Sequence, residues 1–247
     1  MAKNDNLVKS IAEADFSSVD VALDKYIGRT IFRLKNPHLD DLWSEDEIDK
    51  FLCTTDFSFG YLSMKPLYIS YKKGDLDRKA FILFLDLKLS LIETVNSFYN
   101  FILVNNEATR NTRSDRFIMA IEAHDMVVTF ILRYRALWDK FMGYIVYDIR
   151  GDGEYEKFVK AARKKTKFRK LFVEVDVWES VGPYIKKLEE FDNKFRTPEA
   201  HLGGRAYKKI LKSDGPFLKD EYFTSLIEHF NFMLNFVPVF SRIIESK

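Results

Sequence analysis

Two residues in the second half of this 247-residue chain have types and spacing that suit phosphate chemistry: Arg196 and His201, in the run Arg196-Thr197-Pro198-Glu199-Ala200-His201. Cleaving RNA without a metal needs a group of near-neutral pKa to take the proton of the 2′-hydroxyl, and histidine suits that task. It also needs a fixed cation against the phosphorane charge, which arginine supplies through its permanent charge and forked donors. On an unbroken helix five residues turn through about 140°, which splays such a pair. Pro198 predicts a break. It disfavours helical geometry at Thr197, which makes Thr197 an N-cap with Pro198 at the first helical position. A helix N-terminus, itself an anion site, then lies between the two side chains. Arg33 and His38 repeat the spacing beside Asn36-Pro37, in an irregular stretch with no comparable setting.

Other residues could support that chemistry. Glu199 is either an acid favoured at a helix N-terminus or a group that orients His201 or Arg196. Arg205 follows His201 by four residues, so it shares a helical face with it and faces phosphate or solvent. Farther back, Arg135 and Asp139 form an i, i+4 pair. Arg135 and His124 interrupt an apolar stripe of Phe117, Ile121, Val128, Ile131, Trp138, Met142 and Ile145. The pair reads as mutual neutralisation near the core, and alternatively as the lining of a cleft that faces the motif. Lys160, Arg163, Lys164, Lys165, Lys167, Arg169 and Lys170 place seven basic residues in eleven. Such a strip gives sequence-independent, salt-sensitive affinity for an RNA backbone. The interleaved Phe158, Phe168 and Phe172 either stack on bases or form the buried side of an amphipathic helix.

Several chemistries have no foothold. The chain carries neither a G-x-x-x-x-G-K-[ST] loop nor G-x-G-x-x-G, and its four histidines form no H-E-x-x-H. No nucleophile elbow is visible, and no metal or cofactor is implied. Asp75 and Asp77 flank a turn and read as helix N-terminal charges. Cys53 is the only cysteine, which fits a reducing compartment. Residues 1–6 lead into no apolar signal region, and the longest stretch free of charge, Thr94 to Asn106, is too short to span a bilayer. A cytoplasmic protein without membrane partners is expected. The net charge is only +2, yet Lys157 to Lys212 holds 16 basic against 7 acidic residues, which leaves about −7 on the rest. That asymmetry is one footprint of polyanion binding.

The elements that must position these residues are helical. With 47% apolar residues, 23 Phe and 12 Tyr, the chain has material for a large aromatic core, and its 10 Gly and 6 Pro are too few for a turn-dense β-sandwich. Residues 1–75 read as an irregular, mostly helical extension, with helical pieces at Leu7–Ala14 and Val19–Leu34. It also holds a capping box at Ser44 and Glu47, and a loop or short strand over Phe57–Tyr71. Residues 76–247 read as a bundle of four principal helices. The first spans Leu76 to Asn106, with Leu83, Leu87, Leu91, Val95, Phe98 and Ile102 on one face, and the second Ser114 to Asp148. The short link Ala108–Thr112 makes these two antiparallel. Arg150-Gly151-Asp152-Gly153 closes the second helix, and a basic piece follows over Tyr155–Phe172. The third helix covers Trp178–Phe195 and a short one is interrupted at Gly203-Gly204. The last follows Asp214-Gly215-Pro216, with Phe223, Leu226, Phe230, Leu234 and Val237 on one face and a kink at Pro238.

R-x4-H on the third helix of an up-and-down all-α bundle resembles the HEPN superfamily, over roughly residues 76 to 246. Many members of that superfamily are metal-independent RNases of toxin–antitoxin and antiphage defence systems. The resemblance implies catalytic roles for Arg196 and His201 and a homodimer that brings two copies into one composite cleft. It also implies products ending in a 2′,3′-cyclic phosphate and a 5′-hydroxyl, and in some members an antitoxin protein as partner. The alternative is a catalytically inactive bundle of the same kind that binds a protein, nucleotide or RNA.

Overall fold

The structure, a computed structural model, describes residues 73–74, 77–110, 113–201, 208–209 and 221–245; at 102–110, 113–117, 119–120 and 200–201 it describes the backbone only. The helical pieces, capping box and strand expected before residue 72 lie outside these residues, as do Asp75, Arg33, His38, Cys53, Gly203 and Arg205. What is described is all helical, without a strand. Helix α1 is Arg78–Arg110, α2 Arg113–Arg150, α3 Asp152–Val159, α4 Lys164–Phe172 and α5 Val177–Phe191. A π-helical turn, Asp192–Arg196, joins α5 to α6, Thr197–His201, and α7 is Glu221–Glu245. No helix among the described residues is long and apolar enough to cross a membrane.

Ring contacts give the directions of the long helices. Phe84 meets Tyr144 and Phe98 meets Phe130, so α1 and α2 are antiparallel. Tyr134 meets Phe191 and Trp138 meets Tyr184, so α5 runs against α2. Tyr184 also packs on Phe236 and Phe195 on Tyr222, which sets α7 against α5 and parallel to α2. The four helices therefore alternate in direction around one core. At its centre Phe98 of α1 stacks on Phe230 of α7, with ring centroids 4.1 Å apart and planes at 6°. Aromatic pairs of this kind contribute about 0.5–1.5 kcal/mol beyond the area they bury.

The apolar stripe expected on α1 is seen at Leu87, Leu91, Val95 and Phe98, all buried, with Leu83 partly so. On α2 the expected stripe fails at one end, where Ile121 is 46% exposed. Seventeen residues separate Ile121 from Trp138, and at 3.6 residues per turn that leaves them about 100° apart. The core face there runs instead through Ala123, Val127, Phe130 and Tyr134. Gly143, inside α2, is where α3 crosses: an added Cβ would stand 3.4 Å from the Tyr155 ring and 3.6 Å from that of Phe158.

The basic piece expected as one helix is two, α3 and α4, separated at Lys160–Arg163. Phe158 and Phe168 are ten residues apart, about 80° out of phase on one straight helix. Splitting the helix lets both rings turn inward, and both are buried. The turn before α3 depends on Gly151, whose φ of 79° and ψ of 178° fall in a region essentially restricted to glycine. At the start of α1, Asp77 caps the helix by accepting the Ala80 N–H at 2.8 Å. Arg150 ties the end of α4 to α2, donating to the Leu171 carbonyl at 2.6 Å with its guanidinium over the Phe172 ring.

Candidate functional site

The break expected at Pro198 is absent. Thr197 has φ −63° and ψ −46°, ordinary helical values, and its N–H reaches back to the Asp192 carbonyl across the π turn. Thr197 is therefore not an N-cap, and no helix N-terminus separates Arg196 from His201. The physical reason lies one turn earlier. A proline ring clashes with the carbonyl four residues before it, here Lys194, and offers that carbonyl no N–H. Widening the turn over Asp192–Arg196 to the i→i+5 pattern accommodates the ring without ending the helix. Arg196 is exposed at the last position of the π turn, and Pro198 is buried. Along a continuous α-helix the register positions of Arg196 and His201 stand about 140° apart. The His201 side chain lies outside the described residues.

Glu199 is not a solvated N-terminal acid. Its side chain is 3% exposed and lies 3.8 Å from Nε2 of His124 on α2, a ring that is 30% exposed. Its other oxygen accepts a hydrogen bond from the Tyr222 hydroxyl of α7 at 2.9 Å. The carboxylate thus sits at a junction of α2, α6 and α7.

The Arg135–Asp139 pair is present and belongs to something larger. Arg135 Nη1 bonds Asp139, and its Nε bonds Asp192 at 3.2 Å, at the first residue of the π turn. Lys165 of α4 lies 2.5 Å from the same Asp192 carboxylate and Lys164 3.6 Å from Asp139. Three cations and two carboxylates therefore tie α2 and α4 to the start of the turn that ends in Arg196. Asp192 is only 7% exposed in its side chain. The sequence reading missed it, although the signal is there: Val181, Ile185, Leu188 and Phe195 form a buried stripe, and Asp192 fills the step between the last two. An acid inside an apolar stripe on one helix, facing a stripe that holds an arginine on another, predicts a buried pair.

The basic strip is less free than its composition implies. Lys164 and Lys165 turn inward as described, Lys167 lies 3.2 Å from Glu154 and Arg169 3.0 Å from Glu189. Hydrogen bonds from Lys157 and then Lys167 hold the Glu154 carboxyl below the usual carboxylate range. Lys160, Arg163 and Lys170 are exposed. Phe158, Phe168 and Phe172 are buried, so these rings pack in the core and do not face bases.

His229 of α7 is buried as well. The rings of Phe191 and Phe195 meet it edge-on, with centroids 5.3 and 5.6 Å away, and its carbonyl accepts the Tyr134 hydroxyl at 3.1 Å. Desolvation pushes its pKa down to about 4, so it is neutral at pH 7 and serves packing. Among the described residues no three His, Cys, Asp or Glu side chains converge as metal ligands would. Comparison of the chain with protein-family models, with curated proteins and with solved structures found no match.

Proposed function

We propose that this chain is a metal-independent endoribonuclease with a HEPN-like bundle, in which Arg196 binds the scissile phosphate and His201 transfers a proton. The observation that carries this reading is the placement of Arg196. It is an exposed guanidinium on a π turn, a feature frequent at functional sites, and the first residue of that turn is fixed by a buried ionic network. In the reaction an imidazole takes the 2′-hydroxyl proton, the 2′-oxygen forms a bond to phosphorus, and the bond to the 5′-oxygen breaks. The products are a 2′,3′-cyclic phosphate and a 5′-hydroxyl. Since one helix splays Arg196 and His201, a homodimer completes the site, with Arg196 from one protomer and His201 from the other. Such an enzyme fits a toxin–antitoxin or antiphage role with an antitoxin protein as its restraint.

The test is cleavage of total RNA in excess EDTA. Arg196→Ala and His201→Ala each lower the rate by about 10²–10³-fold, as removing one transition-state donor or proton-transfer group does. Mixing the two inactive variants restores activity, because a mixed dimer with composite sites contains one intact Arg/His pair. Equal cleavage by wild type and both variants marks a contaminating nuclease and ends the proposal.

A second reading, a catalytically silent bundle that binds a protein, nucleotide or RNA partner, is favoured by the unbroken helix through Pro198 and by the internal pairing of the basic strip. Intact RNA after incubation with wild-type protein selects it.

A further inference from the structure

The outer face of α2 is apolar where a lone helix has no use for it. The core side of that helix is filled by Val127, Phe130, Tyr134 and Leu137. Leu132 stands two residues from Tyr134, about 160° round the helix from it, and is 53% exposed. Ile118 and Ile121, on the same outer side, are 59% and 46% exposed, and Val128 is half-buried. Ile118, Ile121, Val128 and Leu132 follow the three-and-four spacing of a helix–helix seam, with Asp125 as its one polar step. We infer that this face is a dimer seam, on which α2 of a second copy of the chain packs antiparallel. The seam stands apart from the chemistry; that it assembles the composite cleft rests on the ribonuclease reading.

Charge identifies the occupant as the chain's own copy. Ile121 and Leu132 are eleven residues apart and share a direction to within about 20°. Glu122 and Arg133 repeat that spacing one position on, so both lie about 100° to one side of the seam. Glu122 is exposed and the Arg133 side chain is 42% exposed. In an antiparallel pair centred on the level of Val127, Ile121 comes within one residue, about 1.5 Å, of the level of the partner's Leu132. Glu122 comes equally close to the level of the partner's Arg133. The two-fold axis repeats both contacts, so a pair of Glu–Arg bridges flanks the apolar seam. Arg133 meets Glu93 of its own chain through Nη1, 3.1 Å from the carbonyl and 3.9 Å from the carboxylate, and a guanidinium fork carries about five donors in all. Asp125 comes level with the partner's Thr129, whose hydroxyl can donate to it. A parallel pair would instead set Asp125 against the partner's Asp125, a like-charge contact in the middle of the seam.

The same register brings the two sites together. On α2, Arg135 bonds Asp192 of the π turn, and His124 lies 3.8 Å from Glu199 of α6. These two residues therefore mark the flank of α2 that the motif segment packs against. They follow Leu132 and Ile121 by three positions, which turns them about 60° to the side away from Glu122 and Arg133. A two-fold axis that relates antiparallel helices keeps each flank on its own side of the pair. Both π turns and both α6 segments then lie on one face of the dimer, bordering one groove across the seam. A parallel pair would put them on opposite faces. The antiparallel seam thus offers across two chains what one helix denies, since the register positions of Arg196 and His201 in a single chain stand about 140° apart.

The experiment is sedimentation equilibrium of the full-length protein, with RNA cleavage in EDTA measured on the same samples. The wild-type mass rises from one chain to two over about 1–100 μM, the affinity range of a modest interface. Leu132→Glu buries an unpaired charge in the seam and weakens the dimer by more than about 100-fold. Glu122→Arg and Arg133→Glu each weaken it by about tenfold, since each makes two like-charge contacts. An equimolar mixture of these two variants recovers the wild-type affinity, because in the mixed dimer every Arg again faces a Glu. A loss of folding could not be rescued in that way, and thermal midpoints are recorded for all three variants. A mixture no tighter than its components overturns the seam, as does Leu132→Glu at the wild-type mass or a wild type that stays one chain throughout, whether or not it cleaves RNA. A dimer restored by mixing that leaves RNA intact keeps the seam and overturns the ribonuclease reading alone. A Leu132→Glu monomer that cleaves RNA at the wild-type rate overturns the shared cleft.

Discussion

Two regions of this molecule concentrate charge, and they treat it in opposite ways. Along α4 and the link that precedes it seven basic residues crowd into eleven positions, yet the pairs that Lys167 and Arg169 make with Glu154 and Glu189 are part-exposed and lie along the surface. At the seam between α2 and the α5–π–α6 segment the charges are fewer and buried. Arg135 and Asp192 meet there with side chains 10% and 7% exposed. High dielectric makes the first kind of pair weak, whereas the second kind is dangerous to break, because an unpaired ion in the interior has no water to turn to. Charge density along a sequence thus says little about which charges matter. What stands across from each one decides.

The largest effect follows from breaking the buried side. Arg135→Ala leaves Asp192 with Lys165 alone and Asp139 with Lys164 alone, and a loss of about 3–5 kcal/mol is expected from urea unfolding. Replacing Arg135, Asp139 and Asp192 together by apolar residues of similar volume, with Lys164 and Lys165 changed to Met so that no cation loses its partner, recovers most of that loss, because the penalty comes from stranded charge. A single variant as stable as wild type would show that water reaches the seam, and the contrast between the two regions would disappear.

A middle-sized effect tests burial where α7 packs beside that seam, by a different route. His229 is neutral in the fold, with its pKa pushed down to about 4 by burial, while Lys187 and Lys194 lower it further and Glu190 opposes them. In the unfolded chain the ordinary value is about 6.5. As pH falls from about 6.5 toward 4, the unfolded state takes up the proton first and stability declines; above about 6.5 the contribution is fully present. The decline reaches about 3 kcal/mol if the whole shift is realised. His229→Gln removes that share of the acid slope, so the difference between the two unfolding curves against pH isolates it. Identical slopes would mean that the imidazole is solvated.

The long helices were legible because periodicity is a local signal. Leu87, Leu91, Val95 and Phe98 repeat at helical spacing and all are buried. The π turn was not legible. Pro198 announced trouble for a helix, but whether the chain stops there or widens one turn earlier depends on what holds Asp192, and its partners Arg135 and Lys165 come from two other helices. The His124–Glu199 approach is equally non-local, since neither residue carries a mark that points to the other across 75 positions. Arg135 and Asp139 were readable as a pair from their i, i+4 spacing, and their third member was readable only by asking why an acid sat among Leu188, Phe191 and Phe195.

The smallest effect belongs to the surface strip, and it bears on function as well as stability. Arg169 and Glu189 are 49% and 37% exposed in their side chains, so Arg169→Ala is expected to change stability by less than about 1 kcal/mol. The same weakness decides how the strip meets RNA. If the internal pairs persist, only Lys160, Arg163 and Lys170 are left for phosphates, and the slope of log affinity against log salt is about 2 for a single strand. If RNA strips the exposed pairs apart, Lys167 and Arg169 act as well and the slope approaches about 3.5. Binding of a short single-stranded RNA measured between 50 and 200 mM salt, on the order of the range in which such slopes are read, separates the two. A shallow slope that vanishes when Lys160, Arg163 and Lys170 are replaced by alanine would keep the strip as a paired surface with three free contacts. A steep one would mean that exposed ion pairs are a reserve that a stronger polyanion can claim, which the buried seam cannot offer.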